Sequence, residues 1–167
     1  MPAEKTLRGR HPGPPFWLVK SEPDVYSIDD MARDKRTFWN GIRNHRARNI
    51  LRDEMDLGDL VFFYHSNADP SAVVGIVRVA GRARPDPTQF DKKDVDAFDP
   101  RSKKESPTWW GVDLEFVEKL ARPVSLHEVK AHPKLQEMGL VKLARLSVQP
   151  VKRSEWTAVL AMAKKKG

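Results

Sequence analysis

Between positions 38 and 44 the chain reads Phe-Trp-Asn-Gly-Ile-Arg-Asn, which sets the indole of Trp39 beside the amides of Asn40 and Asn44, a glycine and the guanidinium of Arg43. Such a loop, placed directly before a helix start, can stack a nucleobase, hydrogen-bond its edge and hold its phosphate. Base–aromatic stacking is worth roughly 1–3 kcal/mol, and every base has a face to stack. A lone tryptophan is more often an ordinary core anchor, so the segment gains weight only from what accompanies it.

Three polar strand ends do so. Lys20-Ser21-Glu22-Pro23 follows a short apolar run, and Pro23 forces an extended or turned backbone that exposes the polar trio. Strand periodicity puts Lys20 and Glu22 on one face, where they can read a base edge as donor and acceptor or act as acid and base. The plainer reading is a surface ion pair worth roughly 0–1 kcal/mol. Tyr64-His65-Ser66-Asn67 closes a second apolar run, and Arg145, Ser147 and Gln149 alternate with apolar residues so that they project together.

Charge points the same way only locally. The net charge is +7, but residues 1–15 contribute +2 and Lys164, Lys165 and Lys166 another +3, leaving +2 for residues 16–163. Those ends can be solvated arms as readily as phosphate contacts. Residues 33–52 are different, because Arg33, Lys35, Arg36, Arg43, Arg46, Arg48 and Arg52 are opposed by Asp34 alone. Arginine suits phosphate, since its planar fork donates two parallel hydrogen bonds. Arg43, Arg46, Arg48 and Arg145 are the phosphate-binding candidates, although a solvated helix face would look similar.

The elements that must position these residues fit one domain in 167 residues. Apolar residues at 40% can fill a core, while charged residues at 32% and a mean hydropathy of -0.60 indicate a wetted surface. No apolar run is long enough to cross a bilayer and no secretory pattern opens the chain. The expectation is an intracellular protein, cytoplasmic or, in a eukaryote, nuclear. With no Cys, and with His11, His45, His65, His127 and His132 at no paired ligand spacing, neither metal nor cofactor is expected.

Pro12, Gly13, Pro14 and Pro15 mark residues 1–15 as a flexible leader, residues 16–163 as the domain and 164–167 as a basic tail. Phe16 to Lys20 reads as a buried strand, with Ser27 capping a short helix to about Arg33 and Asn44 capping another to about Glu54. LVFFYHSN and the run from Val73 read as an antiparallel pair turned at 67–71. Residues 85–108 form a long irregular excursion, and a third strand alternates from Trp109 through Val112, Leu114 and Phe116. Ser125 with Glu128 makes a capping box, Pro133 starts a short helical piece, 146–151 is extended, and Ser154 caps a last helix to about Ala163. Strands mixed with short helices, without regular alternation, predict an α+β domain around a curved or barrel-like sheet.

Taken together these segments resemble the EVE domain of the PUA-like superfamily, the domain of the thymocyte nuclear protein family. KSEP at 20–23, WNGIRN at 39–44 with ARN at 47–49, FYHSN at 63–67 and RLSVQPV at 145–151 stand in that family's order, and PDPTQFD at 85–91 and WWGVDLEFV at 109–117 fit it too. Each motif is weak alone, while six in sequence over residues 16–160 are specific. The resemblance implies a bent β-barrel flanked by short helices, akin to the YTH readers of methylated RNA. It also implies binding of nucleic acid, DNA with modified cytosines ahead of RNA, by taking an extruded base into a pocket. Carried over by motif, the pocket candidates are Trp39, Asn40, Arg43, Asn44, Lys20, Ser21, Tyr64, His65, Ser66, Arg145, Ser147 and Gln149, with Glu22 added from the strand-end reading. His45-Arg46 stands where the family commonly has Tyr-Gln, and Ala68 where Cys is common. The first departure bears on the preferred base and the second on packing.

A hydrolase of modified nucleosides is the rival reading, with His65 beside Ser66, Ser147 or Ser21 as a nucleophile–base pair, or Lys20 with Glu22. None has a catalytic context, since nucleophile elbow, phosphate-cradling Gly-rich loop and metal signature are all missing. Kinship with nucleoside-processing PUA-like enzymes supports it only by analogy, as fold kinship supports an RNA-binding processing factor.

Overall fold

Strand β1, Phe16–Ser21, carries its apolar residues consecutively, which suits a strand covered on both faces. In the computed structural model, which describes residues 16–164, Trp17, Leu18 and Val19 are fully buried and β1 is an inner strand. It lies parallel to β3, Leu60–His65, with Lys20 opposite Tyr64, and antiparallel to β7, Val148–Val151. The expected leader and most of the expected basic tail lie outside the described residues, and Lys164 itself closes the last helix.

A parallel pair needs a crossover, and residues 22–59 supply it. Ser27 accepts from the Asp30 N–H while Asp30 accepts from the Ser27 N–H, a complete capping box for α1, Ile28–Asp34. Strand β2, Arg36–Trp39, then pairs antiparallel with β6, Trp110–Ser125. Asn44 accepts from the Ala47 N–H at 2.9 Å and caps α2, His45–Asn49, which continues as a π-helical turn over Ile50–Glu54.

β3 turns into β4, Ala72–Val79, as the expected antiparallel pair, and β4 also pairs with β6. The hydrogen-bonded order is β2-β6-β4-β3-β1-β7, with the two-residue β5, Arg84–Pro85, pairing with the start of β6. The architecture is therefore α+β with a mixed seven-stranded sheet that ends at β2 and β7 and is not closed. Short helices α3, Leu126–Ala131, and α4, Gly139–Lys142, follow β6, and α5, Arg153–Lys164, ends the described chain. Ser154 is inside the first turn of α5 and does not cap it; instead the Glu155 carboxylate accepts from the Lys152 N–H at 2.9 Å.

Alternation along the strands divides the core between the two faces of the sheet. Trp17, Val19, Val61 and Phe63 join Trp39, Met31 and Leu114 on one side. Leu18, Phe62 and Tyr64 join Leu135, Val159 and Trp156 on the other, where Trp156 stacks on Phe62 at 3.8 Å. The excursion after β5 is held, not loose. Gln89 is fully buried and donates to the carbonyls of Asp86 and Trp109 at 2.7 Å, while its Oε1 accepts from Ser102 and the Trp109 N–H. Among the described residues no helix is long and apolar enough to cross a membrane.

Candidate functional site

The ends of β1 and β2 and the loops that follow them enclose a hollow of about 580 Å³, with Ser66 and Ser147 completing its lining. This falls within the roughly 300–1,000 Å³ of small-molecule sites. Trp39 forms part of the wall while only 8% exposed, edge-on to Tyr26 at 6.3 Å and to Phe63 at 5.6 Å. It is thus both a core anchor and a lining residue. Its backbone is pressed against β6 at Gly111, where a Cβ would stand 2.4 Å from the Trp39 carbonyl oxygen. Only glycine permits that approach.

The polar lining comes from four separate stretches of chain. Lys20 Nζ donates to the Ala144 carbonyl at 2.6 Å, and burial lowers the pKa of this ammonium. Ser21 Oγ donates to the Tyr26 carbonyl at 2.6 Å and so fixes the loop after β1. Glu22 Oε2 accepts from Asn67 Nδ2 at 3.1 Å. No ion pair joins Lys20 to Glu22, although both line the hollow as their shared face suggested. Asn40, Ser66 and Ser147 complete a set of donors and acceptors around the aromatic wall.

Arg43 also lines the hollow, but its guanidinium is engaged within the protein. It pairs with the fully buried Asp86 at 3.0 Å and donates to Thr88 Oγ1 and to the carbonyls of Ile42 and Ala97. Asp86 in turn accepts from the Gly41 N–H at 2.7 Å, which fixes a backbone at φ 78. Burial raises the Asp86 carboxyl pKa, yet hydrogen bonds from Thr88, Gly41 and Arg43 outweigh it and leave the group below the usual carboxylate range.

Other expected residues lie elsewhere. Tyr64 is buried in the opposite core, with Lys20 Nζ 5.9 Å from its ring. His65 lies against Phe63, and its Nε2 accepts from the Ile28 N–H at 3.1 Å. Burial is the leading cause that lowers its pKa, helped by Lys119 and opposed by Asp29. Gln149 is fully buried and donates to the carbonyls of Gly139, Leu143 and Leu146. Arg48 donates to the Thr108 carbonyl and lies over the Trp109 ring. Asn44, Arg46 and Arg145 line a second hollow of about 470 Å³.

The sequence reading missed Tyr26, Thr37 and Phe38 in the lining, and Asp86 behind it. Phe38 carries a signal, since it adjoins Trp39, but the sequence of 38–44 reads as a loop where the structure has the end of β2. Asp86 had none beyond a motif. Among the described residues no group of three or more His, Cys, Asp or Glu could hold a metal ion.

Residues 15–162 match the EVE domain family. Thymocyte nuclear protein 1 of Gallus gallus is 41% identical over 169 residues, covering 90% of this chain and 69% of the relative. A hypothetical protein from Leishmania major has a solved structure 44% identical, with a TM-score of 0.84 over 89% of this chain and 94% of that one. The human THYN1 protein, solved in complex with 5-methylcytosine containing DNA, is 37% identical with a TM-score of 0.86 over 91% and 99% of the two chains. With a family match across nearly its whole described length and relatives at about this identity, the chain belongs to the EVE domain family.

Proposed function

We propose that this chain is a DNA-binding module that takes an extruded modified cytosine into the hollow beside Trp39. The carrying observation is that Trp39 meets Lys20, Ser21, Glu22, Asn40, Ser66 and Ser147, from separate stretches of sequence, around one opening of nucleotide-scale volume. The human relative solved with 5-methylcytosine containing DNA supports this choice of partner. An aromatic wall supplies sequence-tolerant stacking. The carboxylate of Glu22 suits the exocyclic amine of cytosine, Lys20 and Ser147 suit its ring acceptors, and Ser21, whose proton goes to the Tyr26 carbonyl, can only accept. A modification is most easily read once its base has left the stack, and the pocket contacts must repay the few kcal/mol, roughly, that unstacking costs.

The hydrolytic alternative lacks support from the geometry. His65 Nε2 already accepts from the Ile28 N–H, and Ser21 Oγ already donates to the Tyr26 carbonyl. Neither is poised as a base or nucleophile.

The test is a titration of duplexes that differ only in one 5-methylcytosine, using the wild type and Trp39→Phe. Phenylalanine keeps a ring in the core but gives up part of the stacking surface. Losing about 1 kcal/mol of stacking weakens the methylated complex roughly fivefold and narrows the preference over the unmodified duplex. A folded Trp39→Phe protein with the wild-type preference would place the reading elsewhere.

A further inference from the structure

Six arginines lie between positions 33 and 52, and five of them are already engaged inside the protein. Arg33 pairs with Asp30 and Asp34, Arg36 with Asp113, Arg43 with Asp86 and Arg52 with Asp53, while Arg48 donates to the Thr108 carbonyl and Asn49. Arg46 is the exception. It is exposed on α2, and no hydrogen bond or ion pair joins its guanidinium to any described residue. Arg145, about a hundred positions later, is exposed and equally without such a partner among the described residues.

The fold brings these two together. Arg46, Arg145, Lys142 and Asn44 line the second hollow of about 470 Å³, and no carboxylate is in its lining. Among the described residues Lys142 is held only by the exposed Glu137, at 3.5 Å. Two cations without a countercharge among the described residues, Arg46 and Arg145, and a third held by one long surface pair face the same concavity and repel one another, and an anion relieves that repulsion. A guanidinium that is not held by protein groups is available for the two-pronged hydrogen bonding that phosphate oxygens accept.

The second hollow also shares a wall with the first. Arg43 lines one and Asn44 the other, Ser147 lines one and Arg145 the other, and Lys20 of the first donates to the Ala144 carbonyl of the second. Neighbouring Cα atoms are about 3.8 Å apart, and the turn at Arg145 and bend at Ser147 keep the Cα atoms of those two residues within about 7 Å. That is the scale separating a nucleobase from the phosphates of its own strand.

We infer that the hollow of Arg46, Lys142 and Arg145 is a phosphodiester subsite, which grips the DNA strand beside the nucleotide whose base enters the Trp39 hollow. The inference rests on the proposed function for its choice of strand. It also divides the labour, with the Trp39 hollow reading the base and this one supplying affinity that ignores base identity.

The experiment measures binding of methylated and unmethylated duplexes by fluorescence anisotropy between 50 and 300 mM NaCl. It compares wild type, Arg46→Gln, Arg145→Gln and the double variant, each checked for an unchanged thermal melt. Each lost phosphate contact should make the slope of log K against log[salt] shallower by about 0.9, so the double variant should lose about twice that. Both duplexes should weaken by the same factor, leaving the methylation preference intact. Unaltered slopes in the double variant would overturn the inference, as would a loss confined to the methylated duplex. Inorganic phosphate at matched ionic strength separates the two sources of the anion. Saturable phosphate binding that the double variant loses, with the DNA slopes of that variant unaltered, would mark a free-oxyanion site and overturn the strand assignment. The two readings fail separately, because a Trp39→Phe protein of unchanged preference leaves these slopes unaffected.

Discussion

Arg43→Ala should unfold the domain more readily and not merely loosen a phosphate contact. Its guanidinium pairs with Asp86, whose side chain has no exposure, while keeping 23% of its own. Removing one partner of a buried pair costs about 3–5 kcal/mol because the other charge is left behind. Asp86 retains the Gly41 N–H at 2.7 Å, the Thr88 N–H at 2.8 Å and the Thr88 hydroxyl at 2.6 Å. With those donors kept and Arg43 partly in water, the expected loss falls to about 2–3 kcal/mol, or roughly 4–12 °C in Tm for a domain of this size.

The pH dependence carries a sign that can be checked. A carboxyl whose folded pKa is depressed stabilises the fold above its unfolded value, about 3.9, and that stabilisation is lost as the pH falls through the folded value. Asp86 is such a group, and Arg43 is one cause of its depression. The difference between wild type and Arg43→Ala should therefore be widest at pH 7 and narrow below about pH 4. Urea unfolding followed by tryptophan fluorescence at pH 7 and pH 3.5 measures it. Arg46→Ala serves as the exposed control, with a change within about 0.5 kcal/mol. An Arg43→Ala protein as stable as wild type at pH 7, yet with a shallower salt dependence of DNA binding, would refute the reasoning and return this arginine to the phosphate.

Gly41→Ala should cost about 1–2 kcal/mol, because an alanine at φ 78 is strained although no atom crowds its Cβ; chemical denaturation that finds no loss would mean the loop relaxes freely. His65 should make the fold less stable as the pH drops from about 6.5 toward its lowered folded pKa, since the unfolded chain gains the proton first. His65→Gln should flatten that part of a stability–pH curve, and an unchanged curve would remove His65 as its source. Gly111→Ala should lower both stability and DNA affinity, because its Cβ would meet the Trp39 carbonyl at 2.4 Å and push β2 outward; wild-type behaviour in melting and titration would contradict that coupling.

The fold was legible where pattern and turn chemistry agreed. FWLVK reads as a buried strand because its apolar residues are consecutive, and the Ser27 and Ser125 capping boxes announce their helices directly. β2 was not legible, since four residues with a charged start and one buried side chain carry too little alternation. Ser154 misled because a serine near a helix start is an ordinary cap, whereas here Glu155 satisfies the backbone from the third position.

For the site, residue type could propose Trp39, Lys20 and Ser147 but could not say which polar groups the protein itself would occupy. Gln149 alternates with Ser147 on paper, yet its amide closes three carbonyls in the interior. Tyr64 ends the same strand as His65 but points to the other core. The basic run from 33 to 52 looked like one phosphate patch. Asp30, Asp34 and Asp53 adjoin the arginines they pair, but the partners of Arg43 and Arg36, Asp86 and Asp113, come from distant positions that no local window contains.

The most direct test follows the base itself. A duplex carrying one 5-methylcytosine with 2-aminopurine as its stacked neighbour reports extrusion, because 2-aminopurine brightens when the adjoining base leaves the stack. Saturating wild-type protein should raise that emission, and Trp39→Phe at saturation should raise it less. Tight binding with emission unchanged from the free duplex would mean the methylated base stays stacked, and the hollow beside Trp39 would not be its receptor.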